Sequence, residues 1–146
     1  MKLNTGKVEF PIEFDNGDKQ SIYFNPNDPN LMVRLKDFQK KLESRAAELQ
    51  DVDLGLDGMV QQGESTEVIE AFRKFQCAIY EEIDTAFGGN ISEVVFKHCS
   101  PFAIVNGNYF IVQFVEAIQP EIEKHIKKAN ASVAAKMSKH TAKYPK

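Results

Sequence analysis

Residues Ser65–Phe96 read STEVIEAFRKFQCAIYEEIDTAFGGNISEVVF, and the spacing of their apolar side chains decides what kind of fold this chain adopts. Val68, Phe72, Phe75, Ile79, Ile83 and Ala86 recur at steps of four and three, the spacing that aligns side chains on one face of an α-helix. Such a stripe needs cover along its length, so this is the expected central helix. Ser65 is placed to cap its N-terminus, and Glu67 to offset the positive end of the helix dipole. Gly88 and Gly89 supply the left-handed backbone that ends helices. Asn90 with Glu93 then spells the capping box of a short helix through Phe96. These residues describe packing and no reaction.

Upstream the period changes to two. Val8, Phe10, Ile12 and Phe14 alternate with Glu9, Pro11 and Glu13, and after Asp15-Asn16-Gly17-Asp18 the apolar Ile22 and Phe24 return on one face. This is a β-hairpin over residues 7–24, with Asn16-Gly17 as the expected tight turn. Pro11 lacks the N–H a ladder needs and marks an edge strand. A lone two-stranded hairpin requires cover, so its apolar face is either core or contact surface. In the following turn Asp28 is the expected N-cap and Pro29 the first helical residue. Leu31, Leu35, Phe38, Leu42, Ala46 and Leu49 then form a second stripe, which predicts an antiparallel helix pair with the central helix.

The connecting loop holds the one stretch with metal-like spacing. From Asp53 to Glu64, DLGLDGMVQQGE puts carboxylates at the first, fifth and twelfth positions and glycine at the sixth, as a calcium-binding EF-hand loop does. Gly55 stands where a third oxygen ligand belongs. The expectation is therefore an acidic connector and no metal site, with Asp53, Asp57 and Glu64 as the calcium alternative. Beyond Phe96, Asn108 is placed to cap a last helix carrying Tyr109, Ile111, Phe114, Val115, Ile118, Ile122 and Ile126. Pro120 either kinks that helix or starts a second one.

The bulk numbers fit this reading. A chain of 146 residues, 42% hydrophobic and 27% charged, is expected to form one domain over residues 1–128, mainly α, with the N-terminal β-hairpin followed by a bundle of four to five helices. No apolar run reaches membrane length and no signal peptide precedes the hairpin, so the expectation is a cytoplasmic protein with two reduced, mostly buried thiols at Cys77 and Cys99. The net charge of −3 conceals an asymmetry. Residues 124–146 hold seven of the 18 basic side chains and no acid, which leaves a body at −10 and an end at +7. Residues 129–146 are expected to be a basic, flexible tail, solvated and frayed, with contact to an acidic partner or to the acidic body of a neighbouring copy as the alternative. Without arginine, and with Tyr144 its one aromatic residue, the tail does not read as a nucleic-acid site.

Catalytic patterns are missing: no Gly-rich phosphate loop, HExxH, GxSxG or paired-cysteine spacing occurs, and His98, His125 and His140 stand in no triad arrangement. No enzyme and no cofactor is expected.

Three stretches carry a resemblance. FNPNDPNLMVRLKDF at Phe24–Phe38, EEIDTAFGGNISEVVF at Glu81–Phe96 and YFIVQFVEAIQPEIEK at Tyr109–Lys124 are similar, in this order, to the small tail assembly chaperones of tailed phages and prophages of Gram-positive bacteria. The most telling pieces are the NPxDPN helix start and Ile83-Asp84 with Phe87-Gly88, followed by Ser92 and Phe96. The resemblance implies a mostly helical, non-enzymatic factor in the host cytoplasm, absent from the finished virion. Its expected partners are the tape measure protein, further copies of itself and the tail tube protein. No catalytic or cofactor residue carries over. The expected contact residues are Phe10, Ile12, Phe14, Ile22 and Phe24 on the hairpin and Leu35, Phe38 and Leu42 on the following helix. A structural tail subunit is the other phage reading, and would bring more β-structure than one hairpin.

Overall fold

The structure, a computed structural model, describes residues 1–51 and 66–143. Strands β1 (Val8–Glu13) and β2 (Lys19–Phe24) precede helix α1 (Pro29–Asp51) and helix α2 (Thr66–Phe87). A short helix α3 (Ser92–Val95), a two-residue ribbon of β3 (Ile104–Val105) and β4 (Asn108–Tyr109), and the long helix α4 (Phe110–Lys143) follow. The fold is thus mainly α with an N-terminal β-hairpin. The ribbon is a second, shorter hairpin.

The two hairpins use their Asn-Gly pairs differently. In the first, Gly17 N–H donates to the Phe14 carbonyl and Phe14 N–H to the Asp18 carbonyl, both at 2.9 Å, with Gly17 at φ +88°. This is a three-residue loop with a left-handed glycine, one residue longer than expected. It sets Phe10 opposite Ile22 and Val8 opposite Phe24. In the second, Asn106 and Gly107 both have positive φ between the paired Val105 and Asn108, the tight two-residue turn expected of the first.

Helix ends are set by named groups. Asp28 caps α1 as expected, its Oδ1 accepting from Asn30 N–H at 3.0 Å. The N-terminus of α4 departs from expectation. Asn108 lies in β4, and the first donors of α4 go to backbone carbonyls, Phe110 N–H to Ala103 and Ile111 N–H to Pro101. Pro120 lies inside α4 and neither ends it nor starts another helix. The helix runs on through residues 129–143, the segment expected to be a loose tail.

One cluster of buried side chains joins all the main elements: Phe10, Ile22 and Phe24 from the hairpin, Leu31, Leu35 and Phe38 from α1, Phe75 to Phe87 from α2, and Ile111, Phe114, Ile118 and Ile122 from α4. Ile79, Ile83 and Ile111 have no exposed surface at all. The central helix is therefore α2, as its stripe predicts. Truncating Ile83 to alanine in such a packed site should cost about 2–5 kcal/mol in urea unfolding. The same truncation at the exposed Val133 should stay within about 0.5 kcal/mol.

Candidate functional site

The corner between α2 and α3 is held by one carboxylate. Gly88, at φ +76°, and Gly89 both donate their N–H to the Asp84 carbonyl, which closes α2. The Asp84 side chain then turns to the next helix. Its Oδ1 accepts from the N–H groups of Ile91 and Ser92 at 2.8 and 2.7 Å, and its Oδ2 accepts from the Ser92 hydroxyl at 2.7 Å. Asn90 and Glu93 do not form the expected capping box, because Ile91 occupies the cap position and Asp84 meets its free donors from the preceding helix. Asp84, Gly88 and Ser92, three residues of the phage-chaperone resemblance, thus act as a single structural device.

A second polar cluster pins the hairpin loop. Asp18 Oδ2 meets His98 Nε2 at 2.7 Å and Lys97 Nζ at 3.3 Å, and the same carboxylate accepts from Gln20. The His98 ring also stands edge-on to Phe14 at 4.8 Å. The hydrogen bond from His98, followed by those from Gln20 and Lys97, holds the Asp18 carboxyl down at about 2, from an ordinary 3.8. The partners lie 80 residues apart in sequence, so no local pattern announces them.

Helices α1 and α2 are tied across by ions. Arg45 Nη2 donates to Glu82 Oε1 at 2.9 Å with Nε at 3.3 Å, and the guanidinium lies 5.9 Å from the Phe75 ring centre. Arg34 Nε donates to the Ala86 carbonyl at 2.9 Å. Between the two helices runs a groove of about 300 Å³, with Phe38 and Ala86 in its lining beside Asp37, Glu81 and Glu82.

The residues expected to meet a partner divide into two groups. Phe10, Ile22, Phe24, Leu35 and Phe38 are buried in the chain's own core, which corrects their reading as contact residues. The reason is local: Phe24 stacks on Phe10 at 4.3 Å and meets the edge of Phe87 at 4.9 Å, while His125 of α4 covers Phe10 at 5.3 Å. The hairpin face is sealed by α2 and α4. Ile12, Phe14 and Leu42 remain half-buried. Ala46 of α1 and Ile69 and Phe72 of α2 are likewise half-buried, and α4 beyond Ile126 carries exposed Lys127, Lys128, Val133, Lys136 and Lys139.

The calcium alternative at Asp53, Asp57 and Glu64 and the Ser65 cap lie outside the described residues. Among the described residues, no cluster of His, Cys, Asp and Glu could hold a metal ion, and no helix is long and apolar enough to cross a membrane. Both cysteines are free thiols. Cys77 is exposed on the outer side of α2, contrary to its reading as buried filler, and Cys99 is half-buried, its thiol pushed up first by burial and then by Asp15. Comparison of the chain with protein-family models, curated proteins and solved structures gives no match.

Two measurements check the polar clusters. Replacing Asp84 by alanine strands three donors at the corner and should cost about 2–3 kcal/mol in urea unfolding. For Asp18 the folded carboxyl titrates below its ordinary value, so its stabilisation is complete above pH 3.8 and is lost as pH falls towards 2. Asp18→Asn should therefore lower stability at neutral pH and flatten the acid limb of the stability curve over that window, as read by denaturant melts.

Proposed function

We propose that this chain is a phage tail assembly chaperone that binds a tape measure protein and keeps it soluble until tail tube subunits replace it. One observation supports the reading above others. The three stretches that carry the resemblance supply most of the framework: Phe24, Leu31, Leu35 and Phe38, then Ile83 to Phe96 with the Asp84 corner, then Ile111, Phe114, Ile118 and Ile122. The likeness thus concerns residues that determine the fold rather than scattered surface positions. On this reading α1, α2 and α4 act as a small helical bundle with the hairpin as its lid.

The proposed contact surface is the half-covered seam of Leu42, Ala46, Ile69 and Phe72, where two helices meet without the cover the hairpin gives further along. A tape measure chain is long, helical and apolar along its seams, and would aggregate if left bare. A helix of that chain laid on the α1–α2 seam buries apolar surface on both sides. Each contact is small. Affinity then comes from many copies ranged along one long target, and no bond is made or broken. The proposed setting is the cytoplasm of the infected host, with the chaperone leaving before the virion is complete.

Co-expression tests this. A tape measure protein should stay in the soluble fraction and co-purify with the intact chain. The double variant Ile69→Glu, Phe72→Glu should reduce that recovery several-fold while keeping its helical circular dichroism. A tape measure protein equally soluble with and without the chain would end the proposal.

A further inference from the structure

We propose that Asn106 is a site of spontaneous covalent modification, losing its side-chain amide to the backbone nitrogen that follows it, and that the fold protects Asn16 from the same reaction. Asn16 and Asn106 are the asparagines of this chain that precede glycine. That pair is the most open to attack, because glycine has no Cβ to hinder the approach of its nitrogen to the preceding side chain. By sequence alone the two sites are alike.

The reaction needs only water. The Gly107 nitrogen gives up its proton and attacks Asn106 Cγ. The N–Cγ bond forms, the Cγ–Nδ2 bond breaks, and ammonia leaves with the proton, so that a five-membered succinimide remains. Water then adds to one of the two ring carbonyls and breaks its bond to nitrogen. Opening at Cγ returns the ordinary main chain with an aspartate, whereas opening at the backbone carbonyl gives isoaspartate, whose main chain runs through the side-chain carbons. No electron changes hands: an amide and water become a carboxylate and an ammonium ion.

At Asn16 the reacting groups are tied down. Gly17 N–H is engaged with the Phe14 carbonyl at 2.9 Å. The Asn16 amide is held at both ends, Oδ1 accepting from Asp18 N–H at 3.0 Å and Nδ2 donating to His98 Nδ1 at 3.4 Å. Asp18 fixes His98 in turn, and six residue pairs hold the strands behind the loop. Asn106 has no such support. Among the described residues its side chain meets no hydrogen-bond partner and Gly107 N–H donates to no carbonyl, and both residues are exposed. Their turn is held by two residue pairs, Ile104 with Tyr109 and Val105 with Asn108. Opening so short a ribbon is a small local event, whereas freeing Asn16 means breaking the His98 contacts and a longer ladder.

The place of the change gives it a consequence. A carboxylate would appear beside Ile104 and Val105, 56% and 37% exposed, and the iso form would add a carbon to the main chain of a two-residue turn. The same ribbon leads into α4, whose first donors go to the Ala103 and Pro101 carbonyls. An aged chain is thus marked, in charge and in backbone, where its last helix begins. The inference does not depend on the tape measure reading.

Peptide mapping by mass spectrometry tests it on the full chain kept at neutral to mildly alkaline pH in heavy-oxygen water. Isoaspartate is read separately, by methyl transfer from a methyltransferase specific for that residue. In the folded chain Asn106 should take up heavy oxygen about tenfold or more faster than Asn16, and in urea the two rates should converge. Asn106→Gln should abolish the signal from that peptide. His98→Ala should speed conversion of Asn16 several-fold with unchanged circular dichroism. Equal rates at the two sites of the folded chain, faster conversion at Asn16, or an Asn106 that converts in urea and stays intact when folded would overturn the inference. A preference for Asn106 that persists undiminished in urea would overturn it too, since local sequence and not the fold would then set the rates.

Discussion

A ribbon of two strands has no stability of its own in water, and everything at the N-terminal end of this chain follows from how its apolar face is covered. Phe10 and Phe24 lie flat against each other on that face, Phe87 closes one side from the end of α2, and His125 closes the other from α4. The ribbon is thereby fixed at the junction of the two longest-range elements of the fold. Phe87 stands at the end of α2, one residue before the glycines whose N–H groups donate to the Asp84 carbonyl. The hairpin loop is held separately by Asp18, His98 and Lys97. Packing fixes one end of the ribbon and charge the other.

This arrangement separates what the chain uses on itself from what it leaves for others. The seams of the hairpin and of the first half of α1 are closed within one copy. The seam weakens towards Leu42 and Phe72, and α4 leaves the core altogether past Ile126. Apolar surface and positive charge thus remain in two distinct places.

Much of the fold was legible in the sequence because it rests on periodicity. The step of four and three from Val68 to Ala86, the alternation from Val8 to Phe14 and the Asp28-Pro29 start all mark real elements. Where the reading went astray, the deciding partner lay far along the chain or competed locally. Asn90 and Glu93 match a capping box, but the cap falls one residue later, at Ile91, and Asp84 of the preceding helix accepts from the Ile91 and Ser92 N–H groups. Asn108 matches a cap, but Val105 claims it for a strand. The hairpin residues named as contacts were open to two readings, since alternation shows that a face must be covered and not by what. His98 gave no signal at all: its carboxylate is 80 residues away, and only the fold brings them together.

The outer half of α4 also begins with an advantage that a free peptide of the same sequence lacks. Starting a helix from coil carries a nucleation penalty of roughly 4 kcal/mol, whereas lengthening an existing one adds a hydrogen bond for each residue fixed. The core half of α4, anchored by Ile111 to Ile122, is already that nucleus. The projecting turns therefore need only be extended, one residue at a time, from a template that never melts while the core is intact. A lysine-rich segment with little to bury can in this way stand ready as a helix, and meets whatever it touches with most of its ordering already done.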